Sequence, residues 1–238
     1  MPAPNETHRI LIAAGPTYEP IDAVRFLGNR SSGRLGSSLA DAAAARGLGV
    51  TLLLGPNAVA PTHAGVEVVR FVSTADLEAR LAERLPDASV LVMAAAVADY
   101  RPAPGEVDQG GKRRRQAAGM TLHLESTPDL LAGCSQNARS DQLLVGFALE
   151  PEAEMIASGN RKLRRKNIDL IVANPLETMD SDTIRATLIG NPDRGIDTDE
   201  TTDGSMPKAD FADWLLDRIL PIADTKRAHA QEQTHGRI

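Results

Sequence analysis

Nine of the 26 basic residues sit in two short clusters, Lys112-Arg-Arg-Arg115 and Arg161-Lys-Leu-Arg-Arg-Lys166. The other 17 stand against 32 acidic residues, so a chain of net charge −6 reads as a −15 scaffold carrying two positive points. Charge gathered in this way suits a small, highly anionic ligand, whereas DNA or RNA favours a broad basic surface. Lys162 and Lys166 are four residues apart, which puts both ammonium groups on one helical face. Arg30-Ser-Ser-Gly33 runs into a segment of helical spacing, and hydroxyls and backbone N–H groups at a helix start are a natural seat for phosphate. Beside them Asn29 carries a side-chain amide that can both donate and accept hydrogen bonds. The one cysteine, Cys134, excludes an internal disulfide and a Cys-only metal cage, and His8, His63, His123, His229 and His235 lack metal-ligand spacing. Cys134 shares a helical face with Leu130, Leu131 and Ala138, so a buried structural thiol is expected rather than a nucleophile.

These side chains need a scaffold. With 238 residues, 42% hydrophobic and 24% charged, the chain is long enough for a full core, and against ~150 residues per domain it predicts one large domain. Aromatics are only 3%, so the core must be aliphatic, as in helices packed on a parallel sheet. Strands are expected at Ile10 to Ala14, Val50 to Leu54, Val66 to Val72, Val90 to Met93, Thr121 to Glu125, Leu143 to Phe147 and Leu170 to Ala173, with an edge strand at Ile184 to Ile189. Helices are expected from a Ser32 N-cap to Arg46, over Asp76 to Leu85 behind a Ser73 or Thr74 cap, over Pro128 to Ala138, over Glu152 to Asn167, and over Phe211 to Leu220 with Trp214 on the apolar side.

This alternation predicts an α/β fold, a Rossmann-like doubly wound and mostly parallel sheet in a single domain, with a long active-site loop after Asp99 and a small edge-strand region. An N-terminal tail over 1–8, a domain over 9–222 and a polar C-terminal tail over 223–238 are expected. The stretch from Asn191 to Pro207 and the tail beyond Ile222 read as loosely ordered. Ligands of such sheets bind beyond the carboxyl ends of the strands, here segments 15–33, 94–118, 147–151 and 174 onward.

Gly33-Arg-Leu-Gly36 before a helix raises a dinucleotide-binding reading. A nicotinamide enzyme needs a short strand-to-helix turn and an acidic residue after the second strand. The gap from Ala14 to Ser32 is long, and the second strand ends in Leu54-Gly55-Pro56. An NAD(P)-dependent Rossmann-type reductase remains the main rival, and a nucleic-acid-binding module using the basic clusters is a further one.

Gly15-Pro-Thr-Tyr-Glu-Pro-Ile-Asp22, Val24-Arg-Phe-Leu-Gly-Asn-Arg-Ser-Ser-Gly33, Ala94-Ala-Ala-Val-Ala-Asp-Tyr-Arg-Pro102, Gly146-Phe147 and Lys162-Leu-Arg-Arg-Lys-Asn-Ile-Asp-Leu-Ile-Val-Ala-Asn174 occur in this order. Together they resemble phosphopantothenoylcysteine synthetase, also called phosphopantothenate–cysteine ligase, from about Arg9 to Leu220. In many bacteria that enzyme is the C-terminal half of a bifunctional protein whose N-terminal half is a flavin-dependent decarboxylase. The resemblance implies a stand-alone synthetase with no FMN, in which CTP activates 4′-phosphopantothenate as an acyl-cytidylate and L-cysteine then displaces CMP. It implies Mg²⁺, a homodimer and a separate phosphopantothenoylcysteine decarboxylase as a possible partner.

By the same resemblance Lys112 serves cytidylate formation, and Lys162 and Lys166 bind the nucleotide. Asn29 handles the acyl-cytidylate during cysteine attack, its amide donating to the acyl oxygen, and Arg30, Ser31, Ser32 and Gly33 hold phosphopantothenate. Asp99 contacts the nucleotide, at the cytosine amino group or in the metal environment. Ala95 and the backbone of Thr127, Pro128, Asp129 and Leu130 line the base pocket, and Phe147 contacts the nucleotide. Three departures stand out: Lys112-Arg-Arg-Arg115 where Lys-Ile-Lys-Lys is usual, Tyr18 where many bacterial members have Arg, and Leu149 where a smaller residue is common. The loop from Asp99 to Lys112 also looks slightly longer than in familiar members, so the register of Lys112 can slip by a residue or two. No apolar run approaches the ~20 residues of a membrane span, and the N-terminus lacks the basic and apolar parts of a signal peptide, so the cytoplasm is the expected compartment.

Overall fold

Short apolar strands alternating with amphipathic helices leave each crossover one economical path, back across a face of the sheet to a parallel neighbour. The computed structural model describes residues 8–108, 110–114 and 119–235. Strand β1 (Arg9–Pro16) is followed by a hairpin of β2 (Tyr18–Pro20) and β3 (Phe26–Gly28), then by helix α1 (Arg34–Ala45). β4 (Gly49–Leu54), β5 (Val66–Arg70), α2 (Thr74–Arg84) and β6 (Val90–Ala96) complete the first half. A small antiparallel pair, β7 (Tyr100–Pro102) and β8 (Leu124–Ser126), flanks the loop between them. α3 (Leu130–Asn137), β9 (Leu143–Glu150), α4 (Met155–Lys166) and β10 (Leu170–Pro175) follow, then the short strands β11 (Thr183–Ile184), β12 (Thr187–Gly190), β13 (Asp199–Thr201) and β14 (Met206–Pro207), and finally α5 (Lys208–His235).

The main sheet has the order β13-β12-β10-β9-β6-β1-β4-β5, with the six strands from β10 to β5 parallel and β12 and β13 antiparallel. Strand order reverses between β1 and β6, the switch point at which doubly wound sheets open a crevice. Seven of the eight β1 residues are buried, as a strand covered on both faces requires. One face carries α1 and α5 through Leu39, Ala40, Ala43, Phe211, Leu215 and Ile219. The other carries α2, α3 and α4 through Leu77, Leu81, Leu131, Cys134 and Leu163. Gly36 lets α1 lie against β1, because a Cβ there would stand 2.2 Å from the Ala14 methyl.

Several sequence expectations change. Ser32 does not cap α1: Gly33 is the N-cap, in a left-handed conformation at φ 69°, and no side chain caps the helix. Ser73, by contrast, forms a capping box with Asp76 at the start of α2. The strand expected over Thr121 to Glu125 is only Leu124–Ser126 and lies outside the main sheet. Ile184 to Ile189 is not one edge strand, because Arg185 and Ala186 divide β11 from β12, and β13 lies outside β12 as the true edge. The stretch 191–207, expected to be loose, supplies β13 and β14.

The chain beyond Ile222 is likewise not a loose tail. α5 runs through Pro221 to His235, although a proline removes one helical hydrogen bond. Tertiary contacts outweigh that loss: Ala223 is buried, His8 Nε2 meets Asp224 at 2.8 Å, and Lys226 reaches Asp169 at 2.6 Å. Asp169, wholly buried, also accepts from Leu144 N–H at 2.8 Å and from Arg194 Nε at 2.8 Å, and so joins β9, β10, the turn after β12 and α5. Asp169→Ala strands two cations beside an apolar core and is expected to cost about 3 kcal/mol, read as a lower urea midpoint. Asp169→Asn, which keeps an acceptor, is expected to lose less; equal midpoints for Asp169→Ala and wild type would remove this tie from the account.

Candidate active site

Four segments meet over the carboxyl ends of β1, β6, β9 and β10 and enclose a cavity of about 750 Å³. Residues 29–36 enter from the β3 to α1 connection, 93–99 from the end of β6, 127–131 from the start of α3, and 174–184 from beyond β10. Thr17 and Thr127 fasten the turn after β6 from two sides. Thr17 Oγ1 accepts from Ala98 N–H at 2.9 Å, and Thr127 Oγ1 donates to the Ala98 carbonyl at 2.5 Å. Asp99 is thereby set, exposed, at the lip of the cavity.

The lining carries six cationic side chains, Arg30, Arg34, Lys162, Arg165, Lys166 and Lys208, against three carboxylates, Asp99, Asp129 and Asp180. In a chain of net charge −6 this inversion of sign makes the cavity a trap for anions. Lys162 and Lys166 project from one face of α4 as their spacing predicts, each against an acid. Lys162 Nζ stands 2.5 Å from Glu150, and Lys166 Nζ bridges both Asp129 oxygens at 2.5 and 2.6 Å. Burial pushes the Asp129 carboxyl up, but Lys166 and the Ala132 N–H that it caps outweigh this and hold it below the usual carboxylate range. The same contest, with Lys162 and Ser158 prevailing over burial, lowers Glu150.

Of the residues singled out from the sequence, Asn29, Arg30, Ser31, Ser32, Gly33, Ala95, Asp99, Thr127, Pro128, Asp129, Leu130, Phe147, Lys162 and Lys166 all line this one cavity. Lys112 does not. It is exposed, on a loop stitched to the turn between β2 and β3. Asp22, whose side chain is wholly buried, accepts from Val24 N–H, Arg25 N–H and Arg113 N–H at 2.9, 2.8 and 3.2 Å and pairs with the Arg25 guanidinium. Ala23 N–H donates to the Gly111 carbonyl at 3.1 Å, and Arg25 donates to the Arg113 carbonyl at 2.9 Å. Arg115, the last residue of that basic cluster, lies outside the described residues.

The Asn29 amide nitrogen donates to the Val97 carbonyl at 3.0 Å and to Ala96 at 3.4 Å. Two carbonyls fix its orientation, since an amide oxygen would face like partners there. The amide expected to donate to an acyl oxygen is thus already engaged, and its oxygen, an acceptor, is the group left over.

Sequence reasoning passed over Arg34, Asn174, Asp180 and Lys208. Arg34 stands in the glycine-flanked segment read only for dinucleotide binding. Lys208 had no signal at all, being a lone lysine at the end of a stretch expected to be loose. The connection from β1 to α1 is filled by the β2–β3 hairpin, so the tight turn of a dinucleotide fingerprint is replaced. Among the described residues no group of three or more His, Cys, Asp or Glu stands ready to hold a metal, and no helix is long and apolar enough to cross a membrane.

Residues 5–222 match the family model described as DNA/pantothenate metabolism flavoprotein C-terminal domain. The chain belongs to this family. It is 42% identical over 174 residues to the coenzyme A biosynthesis bifunctional protein CoaBC of Mycobacterium bovis, covering 70% of this chain and 41% of that protein. A cysteine/cysteine sulfinic acid decarboxylase from an unknown prokaryotic organism is also 42% identical over 174 residues, 73% of this chain and 47% of that protein. The chain spans less than half the length of these curated relatives. The crystal structure of the C-terminal domain of CoaBC matches with a TM-score of 0.75 at 31% identity, over 92% of this chain and 96% of that one. A variant of Cab2 in complex with phosphopantothenate-cysteine has a TM-score of 0.77 over 94% of this chain and 89% of that one, and at 18% identity it shows the shared Rossmann-like fold alone.

Two features of this family member are open to direct measurement. The Arg25 guanidinium, ahead of an opposing burial effect and assisted by backbone N–H donors, holds the Asp22 carboxyl far below the usual range. A carboxyl depressed on folding stabilises fully at pH above its ordinary value and loses that contribution progressively as pH falls from there toward the lowered one. Limited proteolysis should therefore find residues 110–114 equally protected at pH 7 and pH 5 in the wild type, and cut readily in Asp22→Ala at both. Equal cutting of the two proteins would detach the loop from Asp22. Cys134 is buried, and burial, with Asp129 and Glu78 adding repulsion, raises its thiol to about 11. At pH 8 about one thiol in a thousand is ionised, so an aromatic disulfide reagent should react only after unfolding; fast reaction with native protein would contradict the burial.

Proposed function

We propose that this chain is a CTP-dependent ligase joining 4′-phosphopantothenate to L-cysteine in coenzyme A biosynthesis. The observation that carries the reading is the cationic cavity at the switch point, which takes residues from four of the five motifs of the resemblance. A carboxylate resists amine attack because oxide is a poor leaving group. Attack of the substrate carboxylate on the α-phosphorus of CTP forms an acyl-cytidylate and releases pyrophosphate. The cysteine amine then adds to the acyl carbon, loses a proton and expels CMP, leaving the amide.

The first step assembles a carboxylate, a phosphate monoester and a triphosphate, so catalysis depends on offsetting their mutual repulsion. In this reading the backbone of residues 127–130 and Ala95 receive the cytosine, Asp99 its amino group or the nucleotide's metal environment, and Phe147 packs on the nucleotide. Lys162 and Lys166 bind phosphate oxygens, exchanging their present carboxylate partners for the ligand. The phosphopantothenate monoester takes the uncapped start of α1 at Arg30, Ser31, Ser32 and Gly33. Asn29, its nitrogen held by carbonyls, presents its oxygen as an acceptor for the incoming amine. Lys112 serves cytidylate formation, for which its loop must carry it inward. Mg²⁺ would supply further positive charge against the triphosphate, with Asp99 as the lining carboxylate that would face it. The reading includes a homodimer acting in the cytoplasm, and a phosphopantothenoylcysteine decarboxylase as the activity that consumes the product.

The test is mass spectrometry of protein with CTP, Mg²⁺ and 4′-phosphopantothenate, with and without cysteine. Pyrophosphate and acyl-cytidylate are expected without cysteine, and the amide with it. Asn29→Ala should accumulate acyl-cytidylate, whereas Lys112→Ala should fail to make it. No acyl-cytidylate and no amide from the wild type would end the ligase reading; a nicotinamide-dependent absorbance change, or CO₂ from cysteine sulfinic acid, would replace it.

A further inference from the structure

The crevice receives cations from both faces of the sheet, Arg165 of α4 among them. Lys162 and Lys166 come from α4, on the face that carries α2 and α3. Arg34 and Lys208 are the first residues of α1 and α5, on the other face. The two pairs differ in what surrounds them. Lys162 and Lys166 each meet a carboxylate at 2.5 Å, so their charge is matched before any ligand arrives. Lys208 is half-buried, and its ammonium donates to the carbonyl oxygens of Ser181 at 2.5 Å and Thr178 at 3.4 Å. Carbonyls satisfy its hydrogens without cancelling its charge, and a third N–H remains. Asp180 and Asp182 act on it only as charges at a distance.

Burial, and then the like charge of Arg34, lower the pKa of Lys208 below the usual lysine value. Two cations lining one cavity wall are a cost that an anionic ligand reverses. Arg34 has a partner in Asp182, but that carboxylate is 84% exposed and such a surface pair is cheaply exchanged. We infer that Lys208 and Arg34 form a phosphate-binding subsite of the cavity, separate from the cation pair on α4. The ligase reading supplies the phosphate: either the monoester of the acid substrate, whose proposed seat at residues 30–33 adjoins Arg34, or the tail of the triphosphate.

Isothermal titration of inorganic pyrophosphate and of 4′-phosphopantothenate into the whole chain tests this without turnover. Lys208→Gln keeps a donor for the loop carbonyls but removes the charge, and it should weaken at least one ligand roughly tenfold, as the loss of a charge-assisted contact does. Lys208→Arg should recover most of that affinity, and Asp182→Asn, which frees Arg34, should tighten binding severalfold. A loss confined to phosphopantothenate assigns the seat to the monoester, and one confined to pyrophosphate assigns it to the nucleotide tail. Wild-type affinity for both ligands in Lys208→Gln would overturn the subsite and leave Lys208 as a tie for the 178–182 loop. Should that variant melt too low to measure, Arg34→Gln decides in its place, because its partner is exposed; unchanged affinity there overturns the proposal equally. Binding through Lys208 without any amide product would keep the subsite and remove the ligase reading, while amide formation with Lys208-independent binding would do the reverse.

Discussion

Because β4 pairs with one edge of β1 and β6 with the other, the chain leaving β1 runs to α1 on one face of the sheet and the chain leaving β6 runs to α3 on the other, so the two connections part between the ends of the two central strands. That single topological fact creates the crevice on which everything else in this molecule depends. It requires α1 to begin close against β1, and Gly33 and Gly36 allow this. A side chain at Gly33 would meet the Ala58 methyl at 2.6 Å, and one at Gly36 would meet Ala14. The consequence is a helix start with no side-chain cap, whose free N–H groups face the same space as the cations.

The electrostatics follow from that geometry. Helices from both faces end or begin at the crevice, so long basic side chains on them converge without being neighbours in sequence. An acidic exterior keeps the positive potential local to the cavity. The carboxylates that meet Lys162 and Lys166 hold the ammonium groups in position and reduce their mutual repulsion, and in the proposed reaction the phosphates of the nucleotide would take their place.

The strands were legible because their apolar runs are short, β-branched and bounded by Gly and Pro, and the α4 lysines because an i, i+4 pair has one geometric meaning on a helix. Ser73 could be read as a cap because the acid three residues on is local to it. What escaped the sequence depends on partners far along the chain. α5 continues beyond Pro221 because Lys226 answers Asp169, 57 residues earlier, and Asp224 answers His8, 216 residues earlier. Nothing in the local pattern of Ala223 to His235 carries that information. β12 became an internal strand for a similar reason, since the edge it was expected to form is covered by three residues, Asp199–Thr201, with little strand character of their own.

Lys112 and Lys208 mark the two limits of such reading. Lys112 lies in a motif-rich loop, yet Asp22 and Arg25 fasten that loop away from the cavity, and chain order says nothing of where a loop is tied. Lys208 lies in no motif, yet the Thr178 and Ser181 carbonyls hold its ammonium at the cavity wall. Backbone carbonyls are present at every residue, so no residue type announces a lysine bound to them. A cation held in this way keeps its full charge, whereas one held by a carboxylate does not. In the proposed reaction, which brings anions of the same sign together, the lysine the sequence left unmarked therefore contributes more than a further ion pair of the kind found on α4 would.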